Sequence, residues 1–189
     1  MTLDRILDNA IDLFAKAGFS GVSMRKIAQQ AGITQAAIYH HFDSKEALYL
    51  AAIKKVFRAQ TGDVLDSLEF VANPVDRLEA LVKIVMQRMN EEPQLRQIYV
   101  RELLEGNDTR LRLIAEQVFA PIYGVLEKLM KQLAPRMDAT LMLISITGLV
   151  FHHLEAKKIV RFLPGLNSEQ ENVATIAHHI TQLVTQGAH

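Results

Sequence analysis

Val22-Ser23-Met24-Arg25-Lys26-Ile27-Ala28-Gln29-Gln30-Ala31-Gly32-Ile33-Thr34-Gln35-Ala36-Ala37-Ile38-Tyr39-His40-His41-Phe42 reads as two short helices with a tight turn between them. Ser23 is a good N-cap for a helix over 24–30, since its hydroxyl can accept from a first-turn N–H that has no partner within the helix. Ala31-Gly32 ends that helix, and Thr34 can cap the next, over 35–41. Small residues at Ala28, Ala31 and Gly32 let the two helices approach closely. Ile33, Ile38 and Phe42 supply the buried side of the second helix. Its other face shows Thr34, Gln35, Ala36, Tyr39 and His40, side chains that are short or donor-rich. Two such helices packed on a preceding amphipathic one form a helix-turn-helix, whose second helix can enter a major groove.

Upstream, Leu3, Ile6, Leu7, Ala10, Phe14 and Ala17 lie three or four apart and make one apolar stripe of a helix. Asp4, Asp8 and Asp12 occupy another face, and Gly18 supplies a left-handed stop. Downstream, Asp43 with Glu46 three residues on predicts a capping box and a long helix from Ser44 to about Phe70. Further helices are expected after Asn73-Pro74, over 94–105, over 108–133 with a kink at Pro121, over 138–162, and after a cap at Ser168. No segment alternates with the period of a half-buried strand. The expected fold is all-α: a three-helix head in residues 1–48 and a larger helical body in 49–189, about nine helices together.

Composition agrees with a folded, non-secreted chain. Of 189 residues, 49% are hydrophobic and 22% charged, and none is cysteine, which points to a reducing cytoplasm and removes thiolate metal sites. The N-terminus lacks a basic stretch followed by a long apolar run, so no signal peptide is expected. Leu141 to Phe151 is apolar but shorter than the roughly 20 residues that span a bilayer, so no membrane partner is expected. The net charge is zero yet unevenly placed. Residues 1–60 hold eight Lys/Arg against five acids, a net +3, and the remainder carries −3. A mildly basic head suits local phosphate contact.

Residues 11–49 resemble the N-terminal domain of the tetracycline-repressor (TetR) family. The matching run is Ile11-Asp12-Leu13-Phe14-Ala15-Lys16-Ala17-Gly18-Phe19, then Val22 to Ala28, Ala31 to Phe42, and Ser44-Lys45-Glu46-Ala47-Leu48. The resemblance implies a homodimeric, ligand-responsive regulator of transcription, usually a repressor, whose partner is a palindrome of double-stranded DNA. It implies that Thr34, Gln35, Ala36 and Ala37 face the groove, and that Tyr39 holds a phosphate with His40 beside it. Ser23, Arg25 and Lys45 resemble phosphate anchors. Gln35 is the first choice for a base contact, since its amide can pair bidentately with adenine. Many relatives carry a basic extension before the first helix, whereas this chain starts almost directly at it, and Asp4, Asp8 and Asp12 are expected to weaken phosphate affinity.

The rest of the chain offers less. Met86, Met89, Tyr99, Phe119, Tyr123 and His152 are candidates for lining the cavity of an unknown small-molecule effector, because Met and aromatic side chains fill irregular apolar space. Leu149, Ile176, Ile180 and Leu183 are candidates for a dimer interface on two apolar helices. The pairs His40-His41, His152-His153 and His178-His179 diverge by about 100° on a helix and are read as structural, so no metal is expected. Glu102 and Glu105 are read as solvated or salt-bridged rather than as a catalytic pair. No phosphate loop, nucleophile elbow or dinucleotide fingerprint occurs, so neither enzyme activity nor a cofactor is expected. The rival reading is a helical small-molecule-binding protein or adaptor that kept a non-functional head.

Overall fold

Helix α1 (Leu3–Ala17) buries Ile6, Leu7, Ala10, Ile11, Leu13, Phe14 and Ala15. The computed structural model describes residues 3–61, 68, 70–165 and 168–186. Leu3, expected in the apolar stripe, is exposed at the helix's first turn. Gly18 takes φ +71° and ends α1 in the left-handed region, where a Cβ would crowd the backbone. Helix α2 (Met24–Ala31) starts at Ser23, whose Oγ accepts from Lys26 N at 3.2 Å, and stops at Gly32 with φ +68°. Helix α3 (Gln35–Tyr39) starts at Thr34, whose Oγ1 accepts from Ala37 N at 3.2 Å. It is shorter than expected, residues 40 and 41 forming a turn.

Helix α4 (Lys45–Thr61) is capped by Ser44, whose Oγ accepts from Ala47 N at 3.1 Å. The expected cap at Asp43 is thereby corrected by one residue: Ala47 stands three after Ser44, the spacing a capping hydroxyl reaches. The expected extension of this helix past Thr61 falls largely on 62–67, which lie outside the described residues.

Helix α5 (Pro74–Glu91) buries Leu78, Val82, Met86 and Met89. Helix α6 (Gln94–Glu105) ends on Gly106 at φ +61°. Helix α7 (Asp108–Ile114), a π-helical turn (Ala115–Phe119) and helix α8 (Ala120–Leu133) run on without a break. Just before Pro121, where a kink is expected, Ala120 N bonds back five residues to Ala115 O. Pro121 has no N–H for the carbonyl four residues before it, and the wide turn sits just ahead of that missing bond.

Helix α9 (Ala139–Val160) is capped by Asp138, and helix α10 (Val173–Gln186) by Asn172, whose Oδ1 accepts from Ala174 N at 2.8 Å. Ser168 instead opens a 3₁₀ turn, Ser168–Glu171, so the last cap stands four residues later than the sequence suggests. The described residues contain no strand. Counting α7 through α8 as one, they hold nine α-helices.

Two compact units divide the chain: residues 1–60 with 92–121, and residues 61–91 with 122–189. The head boundary at 48 and 49 falls within α4 and within the first unit. In that unit α2 packs on α1 and α3, and α1 packs on α6. In the second, α10 lies along α5, and α9 packs against both. Helix α9 has 22 residues, long and apolar enough to cross a membrane by length and composition alone. Its Met142, Leu143, Ile146, Val150 and Leu154 are buried within the unit, while Leu141, Ile144 and Ile159 are exposed.

Candidate functional site

The outer edge of α3 is open. Thr34, Gln35, Ala36, Tyr39 and His40 are exposed, and Ala37 is half-buried. Ile38 is fully buried behind them, Phe42 is buried as well, and Ile33 is half-buried. One anchored side thus holds the other side out. Thr34 and Ser23 use their hydroxyl oxygens as caps, which leaves each O–H free to donate outward. Arg25 and Lys26 are exposed in the first turn of α2.

Lys45 is only half-exposed. Its Nζ lies 4.0 Å from the centroid of the Phe19 ring. Burial lowers its pKa, with Arg110 adding to the effect and Glu46 opposing it. Asp4 and Asp8 do not stand as bare charges, because Lys55 Nζ pairs with them at 3.1 and 2.6 Å. The expected electrostatic penalty from this face is therefore smaller than the sequence suggests. Burial pulls Lys55 down, yet hydrogen bonds to Asp8 and Asp4 outweigh it and raise its pKa overall.

The same unit holds a partly open cavity of about 260 Å³ lined by Ile53 of α4, by Leu95, Ile98, Tyr99 and Glu102 of α6, and by Leu111, Ile114, Ala115 and Phe119. Its surface is almost wholly carbon. Of the six residues nominated from sequence, Tyr99 and Phe119 line it. Met86 and Met89 belong to the core of the second unit, where Tyr123 is half-buried and His152 exposed. The other lining residues were missed, since an aliphatic side chain facing a cavity looks in sequence like one facing a core.

Glu102 is salt-bridged, one of the two readings the sequence offered, but it is also buried, 2% exposed. Tyr49 donates its hydroxyl to Glu102 Oε1 at 2.7 Å, and Arg110 Nε donates to both carboxylate oxygens at 3.2 and 3.1 Å. Burial and the neighbouring Glu102 carboxylate hold the Tyr49 hydroxyl protonated far above its usual range. Arg110 also donates to Glu105 at 2.7 Å and rests its guanidinium 4.3 Å from the Phe19 ring centroid. Phe19, Phe14 and Tyr49 form an aromatic cluster with edge contacts at 4.7 and 5.1 Å.

In the second unit, Leu183 is 50% exposed, Leu149 and Ile176 are half-buried, and Ile180 is fully buried within its own unit. Ile180 therefore has no surface to offer a partner, which corrects its nomination. Leu141 and Ile144 on α9, not nominated, are 63% and 61% exposed. His178 Nδ1 lies 2.9 Å from Glu79 Oε2, and the rings of His153 and His179 stand 6.4 Å apart. Among the described residues no three or more His, Asp or Glu gather in a metal-binding group.

A capped helix-turn-helix with an open second helix, in one unit with an apolar cavity, defines the class: a transcriptional regulator of helix-turn-helix type. Comparison with known proteins makes it particular. The family model for bacterial regulatory proteins of the tetR family matches residues 6–52. That for the C-terminal domain of the HTH-type transcriptional dual regulator CecR matches residues 74–188. The chain belongs to the TetR family of transcriptional regulators.

Among curated relatives, the biofilm operon icaADBC negative transcriptional regulator IcaR of Staphylococcus aureus (strain Newman) is 43% identical over 54 residues. That match spans 29% of each chain, so this protein covers less than a third of that relative's length. The crystal structure of the transcriptional regulator FadR from Bacillus subtilis, in complex with stearoyl-CoA, matches all of both chains with TM-score 0.81 and 17% identity. That of AibR, in complex with isovaleryl coenzyme A and operator DNA, covers 95% of this chain and 96% of its own, with TM-score 0.70 and 24% identity. At these identities the likeness is one of fold.

Proposed function

We propose that this protein is a repressor that binds a palindromic operator as a homodimer and lets go when a small, mostly apolar effector occupies the cavity. Residues 1–48 act as the reading module and 49–189 as the effector and dimer body. The observation that carries this reading is the open edge of α3 from Thr34 to His40, held by a buried Ile38. In each copy Thr34, Gln35, Ala36 and Ala37 meet the bases, while Tyr39, His40, Ser23 and Arg25 hold phosphates. Lys45 contributes to the phosphate field from its place over Phe19. A two-fold dimer sets the reading helices about 34 Å apart, one turn of DNA.

The dimer face we assign is centred on the exposed Leu141 and Ile144, with Leu183, Leu149 and Ile176 beside them. The effector we favour carries a hydrocarbon chain, such as an acyl-CoA. The cavity lining is carbon, and two proteins of this fold were crystallised with CoA thioesters. Its acyl portion would lie against Ile98, Tyr99, Leu111 and Phe119. A molecule that must reach DNA and meet acyl-CoA works in the cytoplasm.

Selection of random duplex fragments on the purified full chain tests this reading. The wild type is expected to enrich a palindrome, and Gln35→Ala to lose about 1–3 kcal/mol of discrimination at one base pair per half-site. Tyr39→Phe should weaken all sequences alike. Enrichment of no common sequence would refute the proposal.

A further inference from the structure

Glu102 occupies two places at once. It lines the apolar cavity, and its carboxylate is the acceptor on which Tyr49 of α4 and Arg110 of α7 converge. Both donors lead into the head. The Tyr49 ring makes edge contacts with Phe14, in the last turns of α1, and with Phe19, just beyond its end. Arg110 lies on the Phe19 ring and bonds Glu105, which accepts from Ser20 at 3.2 Å in the α1–α2 connection. One residue before Glu102 on α6, Arg101 donates to the carbonyls of Ala15 and Lys16 at 2.9 and 2.7 Å, at the C-terminal end of α1. Lys45, in the first turn of α4, rests on Phe19 too.

We propose that Glu102 is the positioning residue through which occupancy of the cavity reaches the reading head. The inference rests on the effector reading above and names the link that reading lacks. Glu102 is 2% exposed, so its charge is tolerable only while both donors stay in place. A hydrocarbon pressed between α4 and α6 displaces the Glu102 stem, and the carboxylate cannot follow Tyr49 and Arg110 independently. Arg110 then leaves the Phe19 ring, and the α1–α2 connection loses an anchor. A buried network of this kind holds one arrangement or another rather than deforming gradually. The head is thus firm when the cavity is empty and loosened when it is filled.

Hydrogen exchange, followed by mass spectrometry on the full chain without DNA, tests the link, with hexan-1-ol as a hydrocarbon probe of the cavity. In the wild type, hexan-1-ol is expected to speed exchange several-fold in residues 18–46. In Glu102→Gln that segment exchanges fast already and gains nothing from the alcohol. Tyr49→Phe, which removes one hydrogen bond and keeps the ring, falls between the two and serves alone if Glu102→Gln does not fold. Peptides from Ala139–Val160 stay unchanged in every case, which general loosening would not allow. The proposal is overturned if exchange in 18–46 is the same in wild type and both variants, or if all three respond equally to hexan-1-ol. Because the experiment contains no DNA, a failed fragment selection would sink the repressor reading and leave this result standing.

Discussion

Gly18 shows how one residue answers to two demands. Its φ of +71° is strained for any L-residue, and a Cβ built there would lie 2.5 Å from Glu105 Oε1. Gly18→Ala is therefore expected to cost about 1–2 kcal/mol from backbone conformation, with the flexible end of Glu105 swinging aside. Gly124 supplies the control. It sits within α8, and a Cβ added there would meet nothing within 4 Å, so Gly124→Ala should be neutral or stabilise by up to about 1 kcal/mol. Urea unfolding of both variants distinguishes the two cases, and equal midpoints would contradict the account. The helix stop at Gly18 was legible because it depends on its own backbone. The proximity of Glu105 was not, because it joins residues 87 apart in the chain.

Among the elements, turns and caps set the boundaries, and these are legible in sequence where one residue alone can serve. Ser23, Gly32 and Thr34 cap or stop their helices as expected. Where two candidates stand side by side the sequence is ambiguous, as at Asp43 and Ser44. Ser44→Ala should cost about 0.5–2 kcal/mol of stability, and Asp43→Ala far less. A thermal melt of each variant reads the difference, and a larger loss from Asp43→Ala would reverse the assignment.

Between α9 and α10, burial lowers the pKa of His153, with His179 and His152 adding to the effect. The folded chain then binds this proton less readily than the unfolded chain. Stability from this group is intact above about pH 6.5 and declines as the pH falls through that value toward the lower folded pKa. His153→Gln should flatten the fall between about pH 7 and 5 in unfolding experiments. An unchanged slope would remove His153 as its source.

For the molecule as a whole, the apolar surface of α9 and α10 separates folding from association. Ile180 is fully buried and Ile144 is 61% exposed. Ile180→Ala should destabilise the chain by about 2–5 kcal/mol without altering its oligomeric state directly. Ile144→Glu should leave the melting behaviour of the monomer intact and shift sedimentation from dimer to monomer. A dimer that survives Ile144→Glu would place the interface elsewhere.

Fold class and helix-turn-helix were legible because local turn chemistry and helical period agree along residues 3–61. The cavity was not. Met86 and Met89 fill their own core, while Ile53, Leu95 and Ile98 carry no mark that tells a lining residue from a packed one. The ion pair of Glu102 was among the sequence's readings, but its burial and its bond from Tyr49 were not, because that partner lies 53 residues away.

Hydroxyl-radical footprinting of the full chain on a selected duplex addresses the central claim most directly. Two mirror-related protected patches centred about one helical turn apart are expected, one for each α3. A single patch, or protection that follows no sequence, would contradict that claim.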